Sequence, residues 1–132
     1  MTPEFTNSKK LLHPQLSYKI SGVLFRVHNV LGRFFREIQY GDLLAIEFKK
    51  AGLFFEREKV LPIKVIGEED MSNKVDFCIE NKVLLDIKSK KFITKEDYFQ
   101  MIRYLKFSKL ELGLIVNFRS TYLKPKRVIN VS

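Results

Sequence analysis

The stretch Lys74–Lys91, K-V-D-F-C-I-E-N-K-V-L-L-D-I-K-S-K-K, constrains the fold of this chain more than any other. Two short apolar runs, Val75–Ile79 and Val83–Ile87, flank Glu80-Asn81, and that arrangement predicts two strands joined by a tight turn. Each run carries one acid, Asp76 in the first and Asp86 in the second. Lys88 follows Asp86 by two residues, so the strand period of two puts both side chains on one face of the sheet. Two carboxylates about 4 Å apart repel by roughly 4 kcal/mol at an effective dielectric of 20. An ammonium offsets part of that repulsion, and a divalent cation offsets more.

The rest of the chain supplies layers for this hairpin. Residues 1–14 read as a flexible polar leader closed by His13-Pro14, with His13 in solvent, and residues 15–132 as a single domain. Leu16, Ile20, Val23, Leu24, Val27, Val30 and Leu31 fall at helical spacing, with His28 off the stripe and on the surface. Gly32 interrupts. A second helix is expected over Phe35–Lys50, with Ile38, Leu44, Phe48 and Ala51 inward and Gly52 as its stop. Gly41 inside it is unfavourable by about 1 kcal/mol against Ala. Leu53–Val60 alternates loosely, and Pro62 divides it from Ile63–Ile66, which predicts an edge hairpin or bent strand.

Beyond the central hairpin, Thr94 and Asp97 form a capping box, with Ile93 and Tyr98 as a hydrophobic staple, for a helix reaching about Lys106. Leu112–Phe118 is a continuous apolar run and reads as a strand buried on both faces. Lys124–Val131 is a final, more polar strand. The fold class is therefore α/β, a mixed sheet flanked by helices in the order α-α-β-β-β-α-β-β.

The net charge of +9 makes a polyanion the natural partner. Two basic clusters stand out: Lys88, Lys90 and Lys91 beside the acids, and Arg119, Lys124, Lys126 and Arg127 with no acid between them. No apolar run approaches the roughly 20 residues of a membrane span, and an anionic membrane surface, the other partner that the charge allows, lacks a basic amphipathic helix with exposed aromatics to support it. The N-terminus lacks the order of a signal peptide, so the expected location is cytoplasmic. The single cysteine, Cys78, excludes an internal disulfide and reads as a small buried apolar residue. Glu68, Glu69 and Asp70, in the loop Gly67–Asn73, read as solvated acids.

Three D/E-x-K tripeptides occur: Glu47-Phe48-Lys49, Glu80-Asn81-Lys82 and Asp86-Ile87-Lys88. Positions i and i+2 of a helix diverge, which discounts the first, and the second flanks a wet turn. Asp86 alone ends a core-type run and has a second acid on the preceding strand. Mg²⁺ takes hard oxygen ligands and keeps several waters, so Asp76, Asp86 and a backbone carbonyl such as that of Ile87 would suffice. Such an ion polarises a phosphate, while Lys88 orients water or stabilises the charge that develops on phosphorus. The alternative is a purely structural Asp86–Lys88 ion pair.

Val75-Asp76 followed by Asp86-Ile87-Lys88 resembles the PD-(D/E)xK nuclease superfamily, which has the restriction-endonuclease-like fold. L-G-R-F-F-R-E-I-Q-Y, residues 31–40, is similar to the signature of small prokaryotic proteins named GxxExxY, and Q-M-I-R-Y-L-K with L-G-L-I-V-N-F to their C-terminal half. Phe34 stands where that signature has its first Gly, and Val75 where the superfamily commonly has Pro. The resemblance implies Asp76 and Asp86 as metal ligands for Mg²⁺ or Mn²⁺, Lys88 as the catalytic lysine, Glu37 as a further acid beside the metal, and Gln100 on a helix facing the site. Tyr40 would pack beside Glu37. Gln100 and Tyr104, at i and i+4, share a helix face.

The resulting expectation is a divalent-metal-dependent endonuclease or exonuclease acting on DNA, with Lys90, Lys91, Arg119, Lys124, Lys126 and Arg127 binding the nucleic acid. Two cuts in a duplex call for two sites, which points to a homodimer. Phe34, Phe35, Phe54 and Phe55 would serve such an interface or the core equally well. The alternative is a catalytically inactive nucleic-acid-binding or protein-interaction module on the same fold.

Overall fold

A computed structural model describes residues 12–61 and 74–130. The elements are α1 (Pro14–Leu31), α2 (Glu37–Lys50), β1 (Phe55–Val60), β2 (Lys74–Ile79), β3 (Val83–Lys88), α3 (Lys95–Ser108), β4 (Leu112–Asn117) and β5 (Lys126–Ile129). This is the order the sequence predicts. The sheet runs β1-β2-β3-β4-β5, antiparallel except where β4 joins β3 in parallel after the α3 crossover.

The β2–β3 hairpin turns through Glu80 and Asn81, both at φ 54. Glu80 is not simply wet: its carboxylate accepts the Phe54 N–H at 2.7 Å, and its own N–H donates to the Phe54 carbonyl at 2.8 Å, fastening the hairpin tip to the start of β1. On one face of the sheet α1 and α2 pack Ile20, Leu24, Leu44 and Phe48 against Phe77, Leu85, Leu114 and Phe118. On the other, α3 packs Met101, Tyr104 and Leu105 against Val75, Cys78, Leu84 and Ile115. Cys78 is thus a core residue, as expected. Phe55 joins the core through Phe48 and Phe77, whereas Phe34 and Phe54 face solvent.

Side-chain alternation breaks within β2. Val75 and Cys78, three positions apart, face the same layer, so the change of side falls at Asp76. Across from it in β1, Glu58 sits at φ 54 and is skipped by the β1–β2 pairing, which resumes at Lys59↔Val75. The β2–β3 pairing ends at Phe77↔Leu85. The sheet therefore opens at the position of the first acid.

Helix ends follow local chemistry. Pro14 starts α1, where its missing N–H is harmless, and Gly32 at φ 78 ends it. Thr94 and Asp97 cap α3 reciprocally, as their spacing predicts. Gly41 is explained by β1: the Arg57 side chain crosses α2 there, where a Cβ would collide with its guanidinium.

Several expectations need correction. Val30 is 68% exposed, because the 3.6-residue period carries the buried stripe of α1 on to Leu31. Ile38 is 51% exposed, since its spacing to Tyr40, Leu44 and Phe48 places it off their face. His28 is not a surface residue: it is half-buried, with Nε2 2.9 Å from the Ser120 carbonyl oxygen and its ring beside Phe118. His13 is half-buried at the α1 N-cap position rather than in solvent. The leader before Leu12, Pro62, Ile63–Ile66 and the acidic loop Gly67–Asn73 lie outside the described residues.

Candidate active site

Asp76, Asp86 and Lys88 meet where β2 and β3 separate. Asp76 reaches across the opening, and its Oδ2 accepts the Ile87 N–H at 2.6 Å in place of a strand-to-strand bond. An extended residue directs its N–H and C=O to the same side, so the Ile87 carbonyl faces this opening too. Asp86, only 6% exposed, supplies the neighbouring negative charge that acts on Asp76. Burial and then the Asp86 charge push the Asp76 pKa up to about 7. Asp86 Oδ2 is ion-paired to Lys88 Nζ at 3.1 Å, and no aligned hydrogen bond reaches it among the described residues. Two neighbouring carboxylates of which one is buried, with one ammonium between them, are costly for the protein alone.

Lys88 is held from both sides. Its Nζ lies 3.6 Å from Asp97 Oδ1 on α3 as well as beside Asp86. Burial works against the ammonium, but Asp86, Asp97 and Glu37 outweigh it and raise the Lys88 pKa. Lys88 is therefore a cation at neutral pH, able to donate hydrogen bonds and unable to act as a base. Asp97 also takes Lys90 Nζ at 2.6 Å, so Lys90 is partly neutralised.

Glu37 opens α2 on the other side of the sheet opening, and its Oε2 accepts the Ser89 N–H at 3.1 Å. Glu37, Arg57, Asp76 and Ile87 line a cavity of about 190 Å³. A larger one of about 300 Å³, near Lys59, Cys78 and Phe107, has no carboxylate in its wall. Tyr40, one turn beyond Glu37, is buried, donates its hydroxyl proton to the Gly32 carbonyl and stacks on Phe118 at 4.2 Å. Gln100 is half-buried on α3, three residues after Asp97 and four before Tyr104, and so shares a helix face with them. Burial and the Asp86 charge raise the Tyr104 pKa, and its hydroxyl donates to the Lys74 carbonyl at 3.1 Å.

The expected nucleic-acid residues are dispersed in role. Lys91, Lys124 and Lys126 are exposed. Arg127 reaches α1, donating to Ser17 Oγ at 3.2 Å and to the Leu12 carbonyl at 3.3 Å. Arg119 is half-buried, with its guanidinium 5.5 Å from the Phe34 ring centre.

Sequence reasoning missed three contributors. Arg57 enters from β1, bonded to Asp42 at 2.8 Å, and nothing in F-E-R-E-K-V marks it. Asp97 reads as a cap and is also the second counter-ion of Lys88. Asn117 ends β4 and ties down two loops: Oδ1 accepts the Lys90 and Arg119 amides, and Nδ2 donates to the Lys90 carbonyl. A polar residue closing an all-apolar strand was its one signal.

Among the described residues no three His, Cys, Asp or Glu side chains are grouped to hold an ion. The smaller set fits a hard divalent ion that binds through one or two carboxylates and keeps its remaining waters. Asp86 Oδ2, with Lys88 Nζ beside it, and the Asp76 carboxyl at the sheet opening are oxygen donors of that kind.

A five-stranded mixed sheet between helices, opening at two carboxylates with a lysine beside them, is the architecture of a restriction-endonuclease-like fold. A family model for the PD-(D/E)XK nuclease superfamily matches residues 14–129, and the chain belongs to that superfamily. Its members generally use divalent metal ions and act on nucleic acid. No curated protein and no solved structure matches the chain.

Proposed function

We propose that the protein is a nuclease that hydrolyses DNA phosphodiester bonds with Mg²⁺ or Mn²⁺, and that it belongs among the GxxExxY proteins. The observation that carries the proposal is the meeting of Asp76, Asp86 and Lys88 at the sheet opening, with Asp86 Oδ2 paired to Lys88 Nζ. Asp76, Asp86 and the Ile87 carbonyl would hold the ion, with Glu37 beside it. When bound, the ion polarises a phosphate oxygen and lowers the pKa of water at the site.

The protein's own groups supply the remainder. Lys88, kept cationic by Asp86 and Asp97, donates hydrogen bonds to the attacking water or to a phosphate oxygen and stabilises charge that develops there. Gln100, on the α3 face it shares with Asp97 and Tyr104, orients the water. Glu37 fixes the Ser89 amide and thereby the chain just past Lys88. Lys91, Lys124 and Lys126 add the positive field that holds the polyanion.

The second reading is a nucleic-acid-binding or protein-interaction module that does not cut, favoured by the lack of a three-acid cluster among the described residues. Labelled DNAs and RNAs incubated with Mg²⁺, Mn²⁺ or EDTA separate the two. Metal-dependent cutting of DNA, lost in both Asp86→Asn and Lys88→Ala, is expected. Binding without cutting, unchanged in both variants, would replace the nuclease with the inert module.

A further inference from the structure

Phe34 is 75% exposed in the loop between α1 and α2, yet it is not a stray apolar residue. The guanidinium carbons of Arg33 and Arg119 lie 5.0 and 5.5 Å from its ring centre. Arg33 Nε donates to the Arg119 carbonyl at 2.8 Å, locking the two cations together. Neither guanidinium has a carboxylate partner among the described residues. Arg119 Nε is buried and has no hydrogen-bond partner among the described residues. A solvent-facing aromatic flanked by two uncompensated guanidiniums is a surface for a group that is both flat and anionic.

This surface is bolted to the acids. The Arg119 amide is held by Asn117, which also grips Lys90. From the other side, Ser89 Oγ donates to the Phe35 carbonyl at 2.9 Å while the Ser89 amide is held by Glu37. Ser89 directly follows Lys88. Phe34 thus lies one loop away from the place where a scissile phosphate would sit.

Resting on the nuclease reading above, we infer that Phe34, Arg33 and Arg119 form a stacking platform for an unpaired base, and that the substrate is single-stranded DNA. Bases inside a duplex hide their faces in the stack and offer these side chains only phosphates. A single strand offers faces to Phe34 and neighbouring phosphates to the two guanidiniums.

The chain has no tryptophan, so Phe34→Trp places a lone reporter on the platform. Binding is measured in EDTA, where cutting does not interfere, with oligothymidylate, an abasic strand of equal length and a blunt duplex. Oligothymidylate should bind most tightly and quench the introduced indole, and the abasic strand should not quench it. Phe34→Ala should weaken oligothymidylate binding on the order of tenfold and leave the abasic strand unaffected. The inference is overturned if Phe34→Ala binds oligothymidylate like wild type, or if the duplex binds as tightly as the single strand. These outcomes do not depend on cleavage. A protein that cuts but ignores Phe34 loses the platform and keeps the nuclease, and one that stacks bases but never cuts does the reverse.

Discussion

The Asp76 carboxylate accepts the backbone N–H of Ile87 at 2.6 Å, replacing a rung of the sheet with a side chain. One acid thereby both opens the β2–β3 pairing and stands in the opening, next to Asp86. The same placement gives it an unusual titration.

Burial and the Asp86 charge lift the Asp76 pKa from 3.8 to about 7. An acid whose folded-state pKa lies above its unfolded one keeps the folded protein protonated, so stability is lost as pH rises through that window. Asp76→Asn retains an acceptor for the Ile87 amide and removes the charge. Without divalent ions it should exceed wild type by about 1–3 kcal/mol at pH 8 and match it near pH 4. Urea unfolding at the two pH values tests this, and an equal difference at both would mean that Asp76 titrates normally.

The ordinary parts of the fold were legible because their signals are local. The hairpin, the Thr94–Asp97 cap and the buried run of β4 each rest on residues a few positions apart, and the two acids and Lys88 came with them. What was not legible depends on distant contacts. The break at Asp76 is coupled to the backbone of Glu58 on another strand, Arg57 reaches across to α2, and Asn117 grips a loop 27 residues away. Phe34 read as interface or core alike, since the guanidinium of Arg119 that flanks it arrives from beyond β4.

Mg²⁺ should stabilise the folded protein through the same carboxylates. An ion at about a hundredfold above its Kd adds ~2.7 kcal/mol, or roughly 10 °C for a chain of this size. Asp86→Asn should show no such rise. Because the Asp76 proton must leave first, the gain should be larger at pH 8 than at pH 5.5. Thermal unfolding with and without Mg²⁺ measures both effects, and an equal rise in the variant would place the ion elsewhere.

Asp97 titrates in the opposite sense. Burial alone would raise its pKa, but Lys90, the Thr94 amide and hydroxyl, and Lys88 outweigh it and lower the value to about 2. Its stabilisation is present above pH 4 and is lost as pH falls through 2. Asp97→Asn should cost about 1–2 kcal/mol at pH 7 and converge on wild type at the acid end. Denaturant unfolding across that range checks it, and a pH-independent cost would assign the effect to the helix cap alone.

Asn117 holds the two loops that flank the site, so its removal should reach both. The side chain is 8% exposed and bonds to Lys90 N–H, Lys90 C=O and Arg119 N–H at 3.1, 2.7 and 3.2 Å. Asn117→Ala strands these backbone groups, at about 2–4 kcal/mol of stability. The Lys90 and Arg119 amides should then exchange hydrogen faster than the β3 and β4 amides beside them. Cleavage should fall while far-ultraviolet circular dichroism stays native, since Lys88 and its acids remain but the chain that carries them loosens. Unchanged exchange at Lys90 and Arg119 would show that the loops hold their shape without Asn117.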